Sequence, residues 1–167
     1  MFSNLSVLDN IRIGTHARTS GDIINDSLRL PWVRRSETEL NKRVHEILGY
    51  LDLDDVAHIT VSDLPFGTQK RVELARALAT DPKLLLLDEP AGGLNHKEAH
   101  ELGALIRRIR DGRNITILLV EHHMGLVMSI ADHVVVLNFG RKLAEGTPAM
   151  MQSDPDVIEA YLGRKDP

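Results

Sequence analysis

The chain has 167 residues, with 20 Lys and Arg against 24 Asp and Glu, a formal charge of -4, and only 4% aromatic residues. It has no cysteine, which rules out a disulfide scaffold, a thiolate zinc site and a cysteine nucleophile. Its mild acidity argues against a dedicated nucleic-acid binder, and its apolar runs fall far short of the ~18 residues of a membrane span.

No repeat, low-complexity tract or Gly/Ser linker divides the chain, yet its pattern changes partway. Up to about Thr80 it predicts helices and loops. Ser36 before Glu37, Thr38 and Glu39 has the form of a capping box, and Leu40, Val44, Ile47, Leu48 and Leu51 follow at helical spacing. A second helix is predicted over Gln69–Leu78, with Val72, Ala75 and Leu78 on one face.

After Asp81 the pattern alternates. Leu84–Leu87, Ile115–Val120 and Val134–Leu137 are continuous apolar runs, the form of parallel strands buried on both faces. Between the first two, Asn95 and Glu98 resemble a capping pair, Leu102, Leu105, Ile106 and Ile109 share a face, and Gly112 ends the helix. A shorter helix is predicted over Met124–Ile130. Near the end, Asp154 caps a helix with Pro155 at its first position, an apolar stripe of Val157, Ile158, Tyr161 and Leu162, and Gly163 as its stop. The β-α-β-α-β order predicts an α/β fold with right-handed crossovers. Arg34–Arg35, Lys70–Arg71 and the group Arg107, Arg108 and Arg110 read as solvated helix-surface residues.

Ligands of parallel sheets bind beyond the carboxyl ends of the strands. The first strand delivers Asp88 and Glu89 there, and the second delivers Glu121 and His122. A carboxylate at that position can hold Mg²⁺ together with waters and phosphate oxygens. A second can orient or deprotonate a water, and an imidazole can donate to a phosphate oxygen as charge develops. Upstream, Asp63-Leu64-Pro65-Phe66-Gly67-Thr68-Gln69 is a turn feeding a helix N-terminus, where free N–H groups and the helix dipole favour an anion.

The order of these pieces carries a resemblance. Leu64-Pro65-Phe66-Gly67-Thr68-Gln69-Lys70-Arg71-Val72-Glu73-Leu74-Ala75-Arg76-Ala77-Leu78 resembles the signature motif and helix of ATP-binding-cassette (ABC) ATPases. Leu84-Leu85-Leu86-Leu87-Asp88-Glu89-Pro90 resembles their Walker B strand, Ala91-Gly92-Gly93-Leu94-Asn95 their D-loop, and Ile117-Leu118-Leu119-Val120-Glu121-His122 their switch strand. Within the superfamily the chain is most similar to the ATP-binding subunits of branched-chain amino-acid importers. That likeness rests on Gly67-Thr68-Gln69-Lys70-Arg71, Val120-Glu121-His122-His123-Met124, Glu145-Gly146-Thr147-Pro148, and the Asp154-Pro155 and Ala160-Tyr161-Leu162-Gly163 ending.

The resemblance implies a P-loop NTPase-like (RecA-like) α/β core with a parallel sheet and an ABC helical subdomain. Residues 1–80 correspond to the helical subdomain with the signature helix, and residues 81–167 to the C-terminal part of the core. It implies ATP and Mg²⁺, with Asp88 at the metal, Glu89 at the attacking water and His122 at the γ-phosphate as the catalytic pair. Phe66, Gly67, Thr68 and Gln69 would meet ATP held by a second cassette, and Asn95 would sit in the D-loop at the dimer interface. The implied partners are that second ATPase subunit, membrane permease subunits and, indirectly, a solute-binding protein, with no nucleic acid. The implied location is the cytoplasmic face of the cell membrane, held through the permeases.

The sequence departs from the pattern in places. Pro65 and Phe66 stand where the family has Ser and a first Gly, and Asn95 where it often has Asp. None of the 12 glycines precedes a lysine, so the phosphate loop G-x-x-x-x-G-K-[ST] is missing. The chain therefore resembles the C-terminal portion of a longer subunit, with an incomplete core and no expected activity alone. Two other roles fit the same motifs: a non-enzymatic short form that binds a full-length cassette or permease, and a non-transport ABC ATPase.

Overall fold

The computed structural model describes residues 1–16 and 31–162, and the side chains of residues 1–15 and 38–161. The chain divides into two compact units. The first comprises Met1–Leu85 with Asn114–Ile117, and the second Leu86–Arg113 with the residues from Leu118 onward.

The first unit is mainly helical, with the first residues of two strands. Helix α1 (Val7–His16) starts at Ser6, whose Oγ accepts from the Asp9 N–H at 3.1 Å and donates to the Asp9 carboxylate at 2.6 Å. Fully buried Asn10 ties the preceding residues to this helix. Its Oδ1 accepts from the Phe2 N–H at 3.0 Å, and its Nδ2 donates to the Phe2 and Ser6 carbonyls at 2.9 and 3.0 Å. Helix α2 (Pro31–Tyr50) buries Val44, Ile47 and Leu48, and Leu51 just beyond its end is buried with them. Ser36 lies inside α2, which begins five residues upstream at Pro31, so it is not the helix cap that its capping-box spacing predicts. Arg34 and Arg35 lie outside the described side chains.

Helix α3 (Phe66–Ala79) buries Val72, Leu74, Ala75, Leu78 and Ala79. It begins three residues before the predicted start, because Pro65 at the N-cap supplies the carbonyl that closes the first turn. α1 crosses α3 closely: a Cβ on Gly14 would run into the Arg76 carbonyl oxygen and lie 2.9 Å from Ala79 Cβ. Glycine is the residue that permits this approach.

Strand β1 (Leu84–Asp88) pairs with β2 (Thr116–Val120). The Thr116 N–H donates to the Lys83 carbonyl at 3.0 Å at one end, and the Glu89 N–H to the Val120 carbonyl at 2.9 Å at the other. The strands therefore run the same way, as in a parallel sheet. The second unit takes β1 from Leu86 and β2 from Leu118, and contains helix α4 (His96–Arg113), helix α5 (Met124–Ile130), strand β3 (Val134–Asn138), strand β4 (Arg141–Gly146), helix α6 (Pro148–Ser153) and helix α7 (Pro155–Leu162). Fold class is thus α/β.

Four sequence expectations change here. Gly112 lies within α4, and the left-handed residue after the helix is Asn114, at φ 50°. The third apolar run, β3, pairs antiparallel with β4 in a sheet separate from β1 and β2. The reason is local: Phe139 and Gly140, at φ 45° and 76°, turn the chain back after Asn138, and consecutive positive φ values suit the twist of a hairpin. The strands are not buried on both faces, since Leu86, Leu118, Val120, Val135 and Leu137 are exposed. Arg110 is not a solvated charge: it donates to Asp111 at 2.8 Å, Asp132 at 2.8 Å and the Ile130 carbonyl at 3.2 Å. Its hydrogen bond to Asp111 is the first cause raising its pKa. Among the described residues no helix is long and apolar enough to cross a membrane.

Helix α7 follows its predicted form at the start. Asp154 Oδ1 accepts from the Asp156 and Val157 N–H groups at 2.9 and 3.3 Å. Val157 is buried while Ile158 and Tyr161 are exposed, and Tyr161 donates its hydroxyl to the Leu137 carbonyl at 3.1 Å. Gly163 lies outside the described residues.

Candidate functional site

In the second unit, β1 and β2 end side by side and carry their polar residues to one edge. Asp88 closes β1. Glu89 follows at φ 44°, a left-handed conformation uncommon for a residue with a Cβ and a feature of strained functional positions. Its N–H is held by the Val120 carbonyl, and its own carbonyl accepts from the Gly92 N–H at 3.0 Å. The tight turn that results aims the Glu89 carboxylate at the chain leaving β2. There His122 Nδ1 lies 3.3 Å from Glu89 Oε1, with both side chains more than half exposed, at 71% and 58%. Both groups are therefore open to solvent at the strand ends.

Asp88 is exposed beside this pair. Among the described residues no group of three or more His, Asp or Glu could hold a metal ion by itself. One carboxylate fits Mg²⁺ only in the manner in which waters and substrate phosphates complete the shell.

The loop after β1 runs through Gly93, at φ 81°, to Asn95. Asn95 Oδ1 accepts from the Glu98 N–H, and Glu98 Oε2 accepts from the Asn95 N–H, both at 3.0 Å. This is the predicted capping pair, so the Asn95 acceptor oxygen serves its own helix. His123 Nδ1 accepts from the Leu126 N–H at 3.2 Å and caps α5, with its ring edge-on to His96 at 5.6 Å. His123 is therefore a helix cap directly beside His122.

Sequence reasoning brought Glu121 to this edge but gave it no task. Its carboxylate accepts backbone N–H groups from both loops, and only the tertiary contact over thirty residues reveals that.

In the first unit, Phe66, Gly67, Thr68 and Gln69 form the first turn of α3 rather than a loop before it. The Thr68 and Gln69 N–H groups donate to the Pro65 carbonyl at 2.9 and 3.0 Å, and Gln69 Nε2 donates to the Leu64 carbonyl at 2.9 Å. The Phe66 and Gly67 amides are the ones left pointing out of this helix end without a backbone acceptor among the described residues. Lys70 sits 5.3 Å from the Phe66 ring centroid and 3.3 Å from Glu73, so it is engaged rather than simply solvated. A cleft of about 340 Å³ in the second unit, lined by Met124, Met128, Met151, Val157, Ile158 and Tyr161, is apolar and lies on other residues than these.

A parallel strand pair ending in Asp-Glu and Glu-His, and a helix entered through Pro65-Phe66-Gly67, are features of the ATP-binding-cassette type of α/β fold. Superposition on known structures agrees. The ATP-binding cassette MJ1267 of an ABC transporter, in its ADP conformation, matches with TM-score 0.78 and 30% identity over 98% of this chain and 65% of that one. Residues 1–92 match the ABC transporter family, and residues 141–167 match the family of branched-chain amino acid ATP-binding cassette transporters. The chain belongs to the ABC transporter ATP-binding family. It is 42% identical over 163 residues to the high-affinity branched-chain amino acid transport ATP-binding protein BraF of Pseudomonas aeruginosa, covering 98% of this chain and 64% of the relative. LivG of Escherichia coli K12, described in the same words, matches with the same identity and coverage. The chain thus spans 64% of the length of these curated relatives.

Proposed function

We propose that this chain provides the hydrolytic edge and the trans-acting signature helix of an ATPase subunit that energises import of branched-chain amino acids or related polar solutes. The observation that carries this reading is the Glu89–His122 pair, 3.3 Å apart at the strand ends. Glu89 orients and deprotonates the attacking water. His122 contacts the γ-phosphate. With Nδ1–H donated to Glu89, its Nε2 donates to a phosphate oxygen only when the ring carries both protons. Asp88 is the residue that would hold Mg²⁺, which supplies charge neutralisation at the phosphates. Such chemistry is mainly positioning and electrostatics.

The outward Phe66 and Gly67 amides cap the γ-phosphate of ATP held by a second cassette. Thr68 and Gln69 fix the turn that aims them, and Asn95 lies in the loop that faces the partner. Residues 1–80 act as the helical subdomain that docks on a permease at the cytoplasmic face of the membrane. Residues 81–167 belong to the nucleotide-binding core.

The phosphate loop is not among these 167 residues, so ATP held in cis requires a polypeptide segment that carries it. The exposed apolar residues of β1, β2 and β3 support this reading, because in the family the strand bearing that loop lies inside the sheet. Purified alone, the chain is expected neither to bind ATP tightly nor to turn it over. Micromolar affinity together with turnover lost on Glu89→Gln would overturn that expectation. In the assembled importer, Glu89→Gln should cut turnover by roughly 100-fold or more while leaving ATP bound between the cassettes. His122→Ala should slow hydrolysis with ATP binding retained. Wild-type rates in both variants would overturn the assignment.

A further inference from the structure

Glu121 accepts backbone N–H groups with both of its carboxylate oxygens. It follows β2 directly and is half-buried, whereas Asp88 and Glu89 are exposed. Its Oε1 accepts from the Ala91 N–H at 2.8 Å, and its Oε2 accepts from the His122 and His123 N–H groups at 3.2 and 3.4 Å. One side chain thereby bridges the loop leaving β1 and the loop leaving β2. Ala91 is buried and lies two residues after Glu89. The neighbouring Val120 carbonyl holds the Glu89 N–H at 2.9 Å.

We propose that Glu121 is a positioning residue: its carboxylate spans Ala91 and His122–His123 and so fixes the approach of His122 to Glu89. The proposal rests on the ATPase reading above and adds a residue to it. Three physical points carry it. A carboxylate accepting several backbone N–H groups makes charge-assisted bonds, stronger than neutral ones. Glu89 holds a left-handed backbone at φ 44°, and such a conformation persists only where the surroundings over-determine it. With both oxygens directed at backbone N–H groups, Glu121 is poorly placed to reach water as a base, and that task stays with Glu89. The span also sets the start of the loop that ends at Asn95, so the same carboxylate ties the D-loop to the switch histidine.

The test measures ATP turnover in the assembled importer. Glu121→Gln keeps one acceptor oxygen but turns an amide N–H₂ toward a backbone donor. Glu121→Asp keeps the charge and shortens the reach. Both are expected to lower kcat, by up to roughly 100-fold for a displacement near 1 Å, with the KM for ATP changed less than about twofold. A loss of folded protein would look the same in kcat alone, so the deciding readout is the double variant with His122→Ala. If Glu121 acts through His122, adding Glu121→Gln to His122→Ala costs little further; additive losses overturn the proposal.

Wild-type turnover in both Glu89→Gln and His122→Ala would overturn the ATPase reading, and wild-type turnover in His122→Ala alone would overturn this proposal. A slow His122→Ala beside a wild-type Glu121→Gln and Glu121→Asp would overturn this proposal alone. Should neither Glu121 variant assemble, amide exchange in the unaltered chain decides. The Ala91, His122 and His123 N–H groups should be protected together, and exchange of all three at unprotected rates overturns the bridge.

Discussion

The two units satisfy their apolar residues differently. In the first, Val44, Ile47, Leu51, Val72 and Leu78 have no accessible surface, and the helices bury their stripes against one another. In the second, β1, β2 and β3 present Leu86, Leu118, Val120, Val135 and Leu137 outward. A helix needs one covered stripe, which a neighbouring helix supplies. A strand of a parallel core needs two covered faces, and paired sheets of two strands each leave apolar residues showing. The helical unit is therefore closer to self-sufficient, while Asp88, Glu89 and His122 sit at the ends of strands with exposed apolar residues.

Packing variants test this contrast most directly. Ile47→Ala should destabilise the chain by about 2–5 kcal/mol, because it opens a cavity in the helical unit. Leu118→Ala should stay within about 0.5 kcal/mol, since it removes an exposed side chain, and should raise solubility. Denaturant unfolding of the two variants checks both; equal losses would break the contrast.

A glycine pair gives the next effect. In the first unit, Gly14→Ala drives a Cβ into the Arg76 carbonyl, a backbone atom that cannot rotate away, and should cost about 1–3 kcal/mol. In the second, Gly103→Ala meets Leu126 Cδ1 at 2.5 Å, the end of a rotatable side chain. It should cost less, and the order of the two melting temperatures is the measurement. Asn95→Ala removes the cap of α4 and should cost about 0.5–2 kcal/mol, read as a lower melting temperature.

The smallest effect concerns the β3–β4 hairpin. Glu145 accepts from Lys142 at 2.8 Å and contacts His133 at 3.0 Å. The hydrogen bond from Lys142, then that from His133, hold its carboxyl below the ordinary glutamate range. A depressed folded value gives stability that is present above the unfolded value and lost as pH falls through the folded one. Lys142→Met should raise the Glu145 titration midpoint more than His133→Ala does, followed by NMR of the side-chain carboxyl carbon. The reverse order would show that the histidine, not the lysine, sets it.

Much of the fold was legible because its signals are local. The helical spacing of Leu102, Leu105, Ile106 and Ile109 is that of their buried face, and the Asn95–Glu98 and Asp154 caps form as their spacing predicts. What was missed depends on context. Helix α2 extends back past Ser36 to Pro31, and α3 back through Gly67 to Phe66. Propensity disfavours glycine in such a turn, yet the Pro65 carbonyl closes it. β4 escaped notice because Arg141–Gly146 is polar on a hairpin with little burial. Of the candidate site, the residue types at each strand end were readable and the residues they touch were not.

The sequence by itself determined the order of the elements, that these 167 residues hold no cysteine and no phosphate-loop motif, and the delivery of Asp88, Glu89, Glu121 and His122 to strand ends. These follow from periodicity and residue identity along the chain. Only the tertiary structure decided that β3 leaves the parallel pair for β4, that Glu89 stands in a left-handed turn facing His122, and that Glu121 bridges the two loops. Each of those depends on hydrogen bonds and turn geometry between segments that no single stretch of sequence contains.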